Sequence, residues 1–158
     1  ISQIYEGTNG GQSQDLIGRK TIKCGGAFIA EYITEIRDFA NALDTDLNFI
    51  KDATLDAATE IEAITQFIIE QAAENVEFPN STAVDYLSAV GLLSFSYMFA
   101  KIAAAAKDKS GDFYQNKLAL AQYFVDRILP ELDSRLAKIK SGSDLIMNFS
   151  EDYFTNQA

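Results

Sequence analysis

The sequence contains no histidine. That absence removes histidine-based triads, histidine general bases and the usual zinc and di-iron ligand sets. A single cysteine, Cys24, rules out an internal disulfide and fits a reducing compartment. Proline is scarce, with two residues, and strand-like alternation is scarce too, which together point to helices. Positive charge is in deficit, with 13 basic against 23 acidic residues and a net charge of −10. Such a field repels phosphate backbones and argues against nucleic-acid binding and against docking on an anionic membrane by charge. The 158 residues are 47% apolar, enough for one domain with its own core. The first residues are polar and glycine-rich, so no secretory signal is visible. Because the sequence starts at Ile1, this says nothing of an intact gene product.

Residues 1–13 read as a loop, with Gly7, Asn9, Gly10 and Gly11 tolerant of unusual dihedrals. "QDLIGRKTIK" (14–23) reads as a short helix broken by Gly25 and Gly26. From Ala27 the apolar residues Phe28, Ile29, Tyr32, Ile33, Ile36, Phe39, Ala40 and Leu43 recur at steps of three and four, predicting an amphipathic helix to about residue 50. A second predicted helix carries Leu55, Ala58, Ile61, Ile64, Phe67, Ile68 and Ala72 on one stripe, with Thr54 or Asp56 at its start. "EFPNST" around Pro79 is a predicted loop in which Asn80, Ser81 or Thr82 caps the next helix.

The third helix is the most apolar. Ala89 to Ala106 form 18 residues with only Lys101 charged, long enough for a membrane span to be weighed. Its serines, glycine and alanines favour instead a helix buried between others. "KDKSGD" ends it. A fourth helix runs from near Asp112 towards Lys140, with Pro130 inside it as a kink or break, and Ser141–Gly142 stop it. "SDLIMNFSEDYF" reads as a capped turn laying Leu145, Ile146, Phe149 and Phe154 back on the bundle. The expected fold is all-α: an up-and-down four-helix bundle preceded by an extended loop and a short helix. The domain boundary is placed at Gly25-Gly26, separating residues 1–25 from a bundle over 26–158.

Few constellations carry chemistry. Glu60, Glu62, Glu70 and Glu74 invite a di-metal reading, but the Glu-x-x-His pairs of ferritin-like sites cannot exist here, and a solvated face explains them. "GTNGG" lacks the lysine and hydroxyl residue of a P-loop. Cys24 has no histidine beside it and reads as a small half-buried side chain. Arg127 and Arg135 read as surface partners of nearby acids. Glu6 is a lone loop carboxylate, flanked by Tyr5 and by Gly7, which lets a ligand approach the backbone. Apolar walls from Ile4 and Tyr5 would raise its pKa and make it a useful proton acceptor near neutral pH.

"QIYEGTNG" followed by "DLIGRK" resembles the last catalytic segment of acyl-CoA dehydrogenases, the flavin enzymes that introduce a 2,3-double bond into acyl thioesters. The downstream helices, closing in "KLALAQYFVDRILPELDSRLAKIKSGSDLIMNFSEDYF", resemble the extra C-terminal helical domain of a larger subgroup of that family. The resemblance implies that Glu6 is the catalytic base, taking the pro-R α-proton while a hydride leaves the β-carbon for the flavin. It implies that the backbone N–H of Glu6 helps hold the thioester carbonyl, that Gly7 borders the substrate and that Thr8 lies against the FAD. Arg19 matches a family arginine. Gly11 stands where a branched aliphatic residue is common, and Gly10 where shorter members carry glutamine.

The resemblance further implies that this is a C-terminal piece of a longer enzyme, since the domains that hold the flavin lie upstream of such a loop. The expected partners of the intact enzyme are an acyl-CoA, an electron-accepting flavoprotein and further copies of itself, in the cytoplasm, with no nucleic acid and no integral membrane segment. On its own the chain is expected to fold as a bundle without tight FAD binding or catalysis. The competing reading is a non-enzymatic helical module that docks a protein partner. Burial of Val90, Leu93, Phe95 and Phe99 would oppose it and an apolar exposed face on the third helix would favour it.

Overall fold

A computed structural model of the chain describes residues 8–150 and 152–155. Among them there are helices and turns and no strand. Helix α1 (Asn9–Gln14) runs on through a π turn (Asp15–Arg19) and a 3-10 turn (Ile22–Cys24) into α2 (Ala27–Asn41). A 3-10 turn (Thr45–Leu47) leads to α3 (Asn48–Glu74), then α4 (Phe78–Ala106). Helix α5 (Asp112–Tyr123) passes through a second π turn (Phe124–Ile128) into α6 (Glu131–Lys140). The short α7 (Asp144–Met147) and α8 (Asp152–Thr155) close the chain.

The bundle consists of α2, α3, α4 and the composite α5–α6, joined by short connections, as the sequence predicts. Helix α4 is its hub, lying against α1, α3, α5 and α6. Its low-amphipathicity sequence follows from this position, because neighbours cover it on several sides. Tyr86, Ala89 and Leu93 are fully buried on it in one apolar cluster with Ile61, Ile64 and Ile68 of α3 and Ile33 and Ile36 of α2, and Ala100 and Ala103 are buried in a second. The alanines at its C-terminal half let α3 and α5 approach closely around Leu47, Ile50 and Ala121. Helix α4 is long and apolar enough to cross a membrane by length and composition, yet 44% of its most apolar window is buried within the protein.

Several boundaries differ from the sequence reading. The loop assigned to residues 1–13 gives way to helix at Asn9, and neither Gly10 nor Gly11 has a positive φ. Helix α2 stops at Asn41 rather than near 50, with the N–H of Ala42 closing on Asp38 and Phe39 carbonyls. Helix α3 therefore starts six residues before Thr54, which is no cap. Thr54 is buried and shares a 2.6 Å hydrogen bond with Ser96 of α4. Pro79 does not sit in a loop either. It occupies the first turn of α4, where an N–H has no partner to lose, and Asn80, Ser81 and Thr82 lie inside the helix. Pro130 does break the fourth member as expected. The preceding turn widens to a π turn, with Leu129 N–H reaching the Phe124 carbonyl at 2.9 Å, and α6 begins just after it.

The tail also departs from expectation. Leu145, Ile146, Phe149 and Phe154 do not lie on the bundle: Leu145 and Phe154 are each 79% exposed. The buried Ser143, whose hydroxyl accepts from the Asn75 amide at 2.9 Å, fixes where the chain leaves. Beyond it the short turns pair their own rings, Phe149 with Tyr153 and Phe154 at 6.0 and 6.3 Å.

Candidate functional site

The candidate residues Glu6 and Gly7 lie outside the described residues. Thr8 is the first described one. It is the N-cap of α1, in extended conformation, and its exposed hydroxyl accepts from Gly11 N–H at 3.2 Å.

What the structure does define is how this segment is held. Ser13 is buried, its hydroxyl returned to the Gly10 carbonyl at 2.8 Å. Ile17 is completely buried in the main core, so α1 and its π turn are seated on the bundle rather than hung from it. Arg19 pairs with Asp15 on the exposed side of the turn, where such a pair contributes little. Thr21 then enters the interior. Its hydroxyl lies 3.4 Å from Tyr86 Oη, which is 2.9 Å from Thr65 Oγ1 on α3, and Thr65 donates to the Ile61 carbonyl at 2.6 Å. Three elements are thus tied through one phenol. Burial pushes the Tyr86 pKa above its ordinary value, against the two threonine hydroxyls that favour the ionised form. Cys24 is half-buried, its thiol turned to the Lys20 carbonyl at 3.1 Å.

Gly25 and Gly26 end the segment at φ +61° and +81°. A Cβ on Gly26 would stand 3.2 Å from Ile69 Cδ1, so the turn into α2 needs glycine for both its dihedral and its close approach to α3.

The remaining charged groups fall into small surface sets. Lys107 bridges Asp44 and Asp108 at 2.7 and 2.9 Å, which raises its pKa and lowers that of Asp44. The Arg37 guanidinium, 2.8 Å from Glu62, holds that carboxyl below its usual range. Arg135 pairs with Asp85 at 2.9 Å, as a surface partner should. Lys101 lies 3.9 Å from the Tyr97 ring centre, while the Tyr97 hydroxyl donates to Glu35 at 2.8 Å. Glu60 and Glu74 share no metal site with their neighbours: no set of three or more potential ligands occurs among the described residues.

The grooves beside Gly26 and between α3 and the α5–α6 break hold about 150 and 250 Å³. The Thr54–Ser96 and Thr21–Tyr86–Thr65 contacts were missed from the sequence. Of these residues only Thr54 carried a reading, as a helix start, and no local signal marks the partners of Thr21, Thr65 or Ser96. On the third helix the four indicator residues divide: Val90 and Leu93 are buried, Phe99 is partly so, and Phe95 is 59% exposed.

Known proteins align with this arrangement along almost its whole length. The chain is similar to the broad-specificity linear acyl-CoA dehydrogenase FadE5 of Mycobacterium tuberculosis, at 28% identity over 170 residues, covering 98% of this chain and 28% of that protein. It is also similar to the 3-methylmercaptopropionyl-CoA dehydrogenase of Ruegeria pomeroyi, at 27% identity over 158 residues, covering 95% of this chain and 27% of that protein. The chain thus spans little more than a quarter of the length of these relatives. Residues 32–150, from α2 through the bundle to the start of the tail, match the family described as acetyl-CoA dehydrogenase C-terminal like. With its helical bundle and the acyl-CoA dehydrogenases that align to it, the chain belongs to the acetyl-CoA dehydrogenase C-terminal-like family.

Proposed function

We propose that this chain is the C-terminal part of a flavin-dependent acyl-CoA dehydrogenase that oxidises a saturated acyl-CoA to its 2,3-enoyl-CoA. Glu6 is the base that accepts the α-proton, Gly7 borders the thioester, and residues 1–25 are the end of the catalytic domain, followed by the bundle. One observation carries the reading. The first relative aligns over 98% of this chain, which leaves only a few residues outside the match, and the segment just after the loop is locked into the bundle core through Ile17 and Thr21. The segment from Asn9 to Cys24 and the bundle therefore form one unit, with α4 against α1. A linear acyl thioester is the substrate class that the first relative's name supports.

The test follows the α-proton. In the longer protein that contains this segment, a bound acyl-CoA should exchange its α-hydrogen with deuterated solvent, read by mass spectrometry. Glu6→Gln should slow that exchange by at least about a hundredfold, the scale of a lost general base. Equal exchange in both proteins would remove Glu6 from the role. A second reading, a module that docks a protein partner, draws on the exposed tail side chains Leu145, Phe149 and Phe154.

A further inference from the structure

Helix α4 keeps one face open although α1, α3, α5 and α6 all lie against it. Val84, Gly91, Phe95, Met98 and Ile102 recur there at helical spacing, so they share one side of the helix. Val84, Phe95 and Met98 are exposed, while Gly91 and Ile102 are half-buried. A Cβ on Gly91 would meet nothing, so another backbone can come close at that point. Beside Phe95 lies an apolar groove of about 200 Å³, lined by Phe99 and by Phe124 and Ile128 of the second π turn. Other exposed rings on the helices stand among charges: Phe28 shares its side of α2 with Glu31 and Glu35, and Lys117 lies over the ring of Phe113. The residues three and four positions from Phe95 are instead Gly91, Leu92, Met98 and Phe99. The two charged side chains of α4 are engaged elsewhere, Asp85 with Arg135 and Lys101 on the Tyr97 ring. A helix that is apolar all round is one that is covered all round, and the neighbours among the described residues leave this last side bare.

Two observations identify the cover. The chain spans 28% and 27% of its two relatives, so most of such a polypeptide lies outside it. Helix α1, through which an upstream part would connect, lies on α4 itself, and Ile17 fixes its continuation in the core. We propose that the open face of α4 is the interdomain contact of the longer protein: an apolar segment from the rest of the same polypeptide lies along Val84, Phe95, Met98 and Ile102, with one large side chain in the groove beside Phe95. Tethering through α1 holds that segment at an effective concentration on the order of millimolar or above, which a free second copy does not have. The inference rests on the reading of this chain as the C-terminal part of a longer enzyme, and it makes α4 a hub shared by the bundle and the domains before it.

The test uses the longer protein, with the photoreactive benzoylphenylalanine in place of Phe95 or, as reference, of Phe113. The two positions are exposed to nearly the same degree in the bundle, 59 and 66%. After irradiation, the probe at the Phe95 position should be joined to a peptide outside residues 1–158, in a product that keeps the mass of one chain on a denaturing gel. The probe at the Phe113 position should give no such product. In a second arm, Phe95→Asp/Met98→Asp should speed the proteolytic separation of the bundle from the rest by at least about tenfold, the scale of losing apolar burial at two side chains. Phe113→Asp/Leu120→Asp should leave that rate unchanged. A covalent dimer as the main product would assign the face to a second copy and overturn the proposal. So would the absence of a cross-link from the Phe95 position, or equal proteolysis of the two aspartate variants. Neither arm reads flavin or turnover. A cross-link that forms while Glu6→Gln leaves α-proton exchange unchanged would uphold the contact and remove Glu6 from its role.

Discussion

Replacing Tyr86 with phenylalanine removes one oxygen from the middle of the structure. The ring stays in its fully buried place, so no sizeable apolar cavity opens. Thr65 keeps its 2.6 Å bond to the Ile61 carbonyl and loses only the 2.9 Å contact to the phenol. Thr21 is different: it is fully buried, and the 3.4 Å contact to Tyr86 is the hydrogen bond that its hydroxyl makes to another side chain. One good hydrogen bond is worth about 1 kcal/mol, and a buried hydroxyl left without a partner costs a further 1 kcal/mol or so, giving about 2 kcal/mol in all. In urea this should lower the unfolding midpoint by about 1 M with the slope unchanged, followed by far-ultraviolet circular dichroism. If the orphaned Thr21 is responsible for half of the loss, Tyr86→Phe/Thr21→Val should recover about 1 kcal/mol of it. A change below about 0.5 kcal/mol in Tyr86→Phe would refute the reasoning, because the phenol would then not be what ties the loop-bearing segment to α3.

The same residue gives a pH test. Its folded-state pKa is raised above the ordinary value of 10.0, so the unfolded chain loses this proton first; stability is whole below pH 10 and falls as pH rises further, and Tyr86→Phe should lose that part of the alkaline decline. Gly26→Ala should destabilise the chain by about 1–2 kcal/mol in thermal unfolding, since alanine is strained at φ +81° and its methyl group meets Ile69 Cδ1 at 3.2 Å. Phe149→Ser should change stability by less than about 0.5 kcal/mol, because the ring is 56% exposed and meets the exposed rings of Tyr153 and Phe154.

The periodic stripes were enough to locate every member of the bundle, because burial on one face is what writes the three-four spacing into a sequence. Where the reading failed, local signals and tertiary demands disagreed. Leu43, Leu47 and Ile50 keep the helical step across the break after Asn41, since the turn packs its apolar residues into the same core as the helices do. No glycine or proline marks that break, so periodicity alone runs through it. Pro79 pointed to a loop, yet proline is well suited to a first helical turn. Thr54 looked like a cap because it is a hydroxyl residue before an apolar run; its true partner, Ser96, is 42 residues away and could not be read locally. The tail residues were laid on the bundle for their hydrophobicity, but they stand exposed, as Phe28, Phe95 and Phe113 do on the helices themselves. At the candidate site, the sequence motif named Glu6, Gly7 and Thr8, while the anchoring of their segment through Tyr86 became visible only once α3 and α4 were assembled.

The central claim is that this segment and bundle belong to an enzyme that oxidises saturated acyl thioesters. The most direct measurement is the visible absorbance of the purified longer protein during anaerobic addition of saturated acyl-CoAs of increasing chain length. The account predicts a flavin band that bleaches with one chain-length class and persists in Glu6→Gln. A colourless protein, or a flavin band that none of the thioesters reduces, would contradict it.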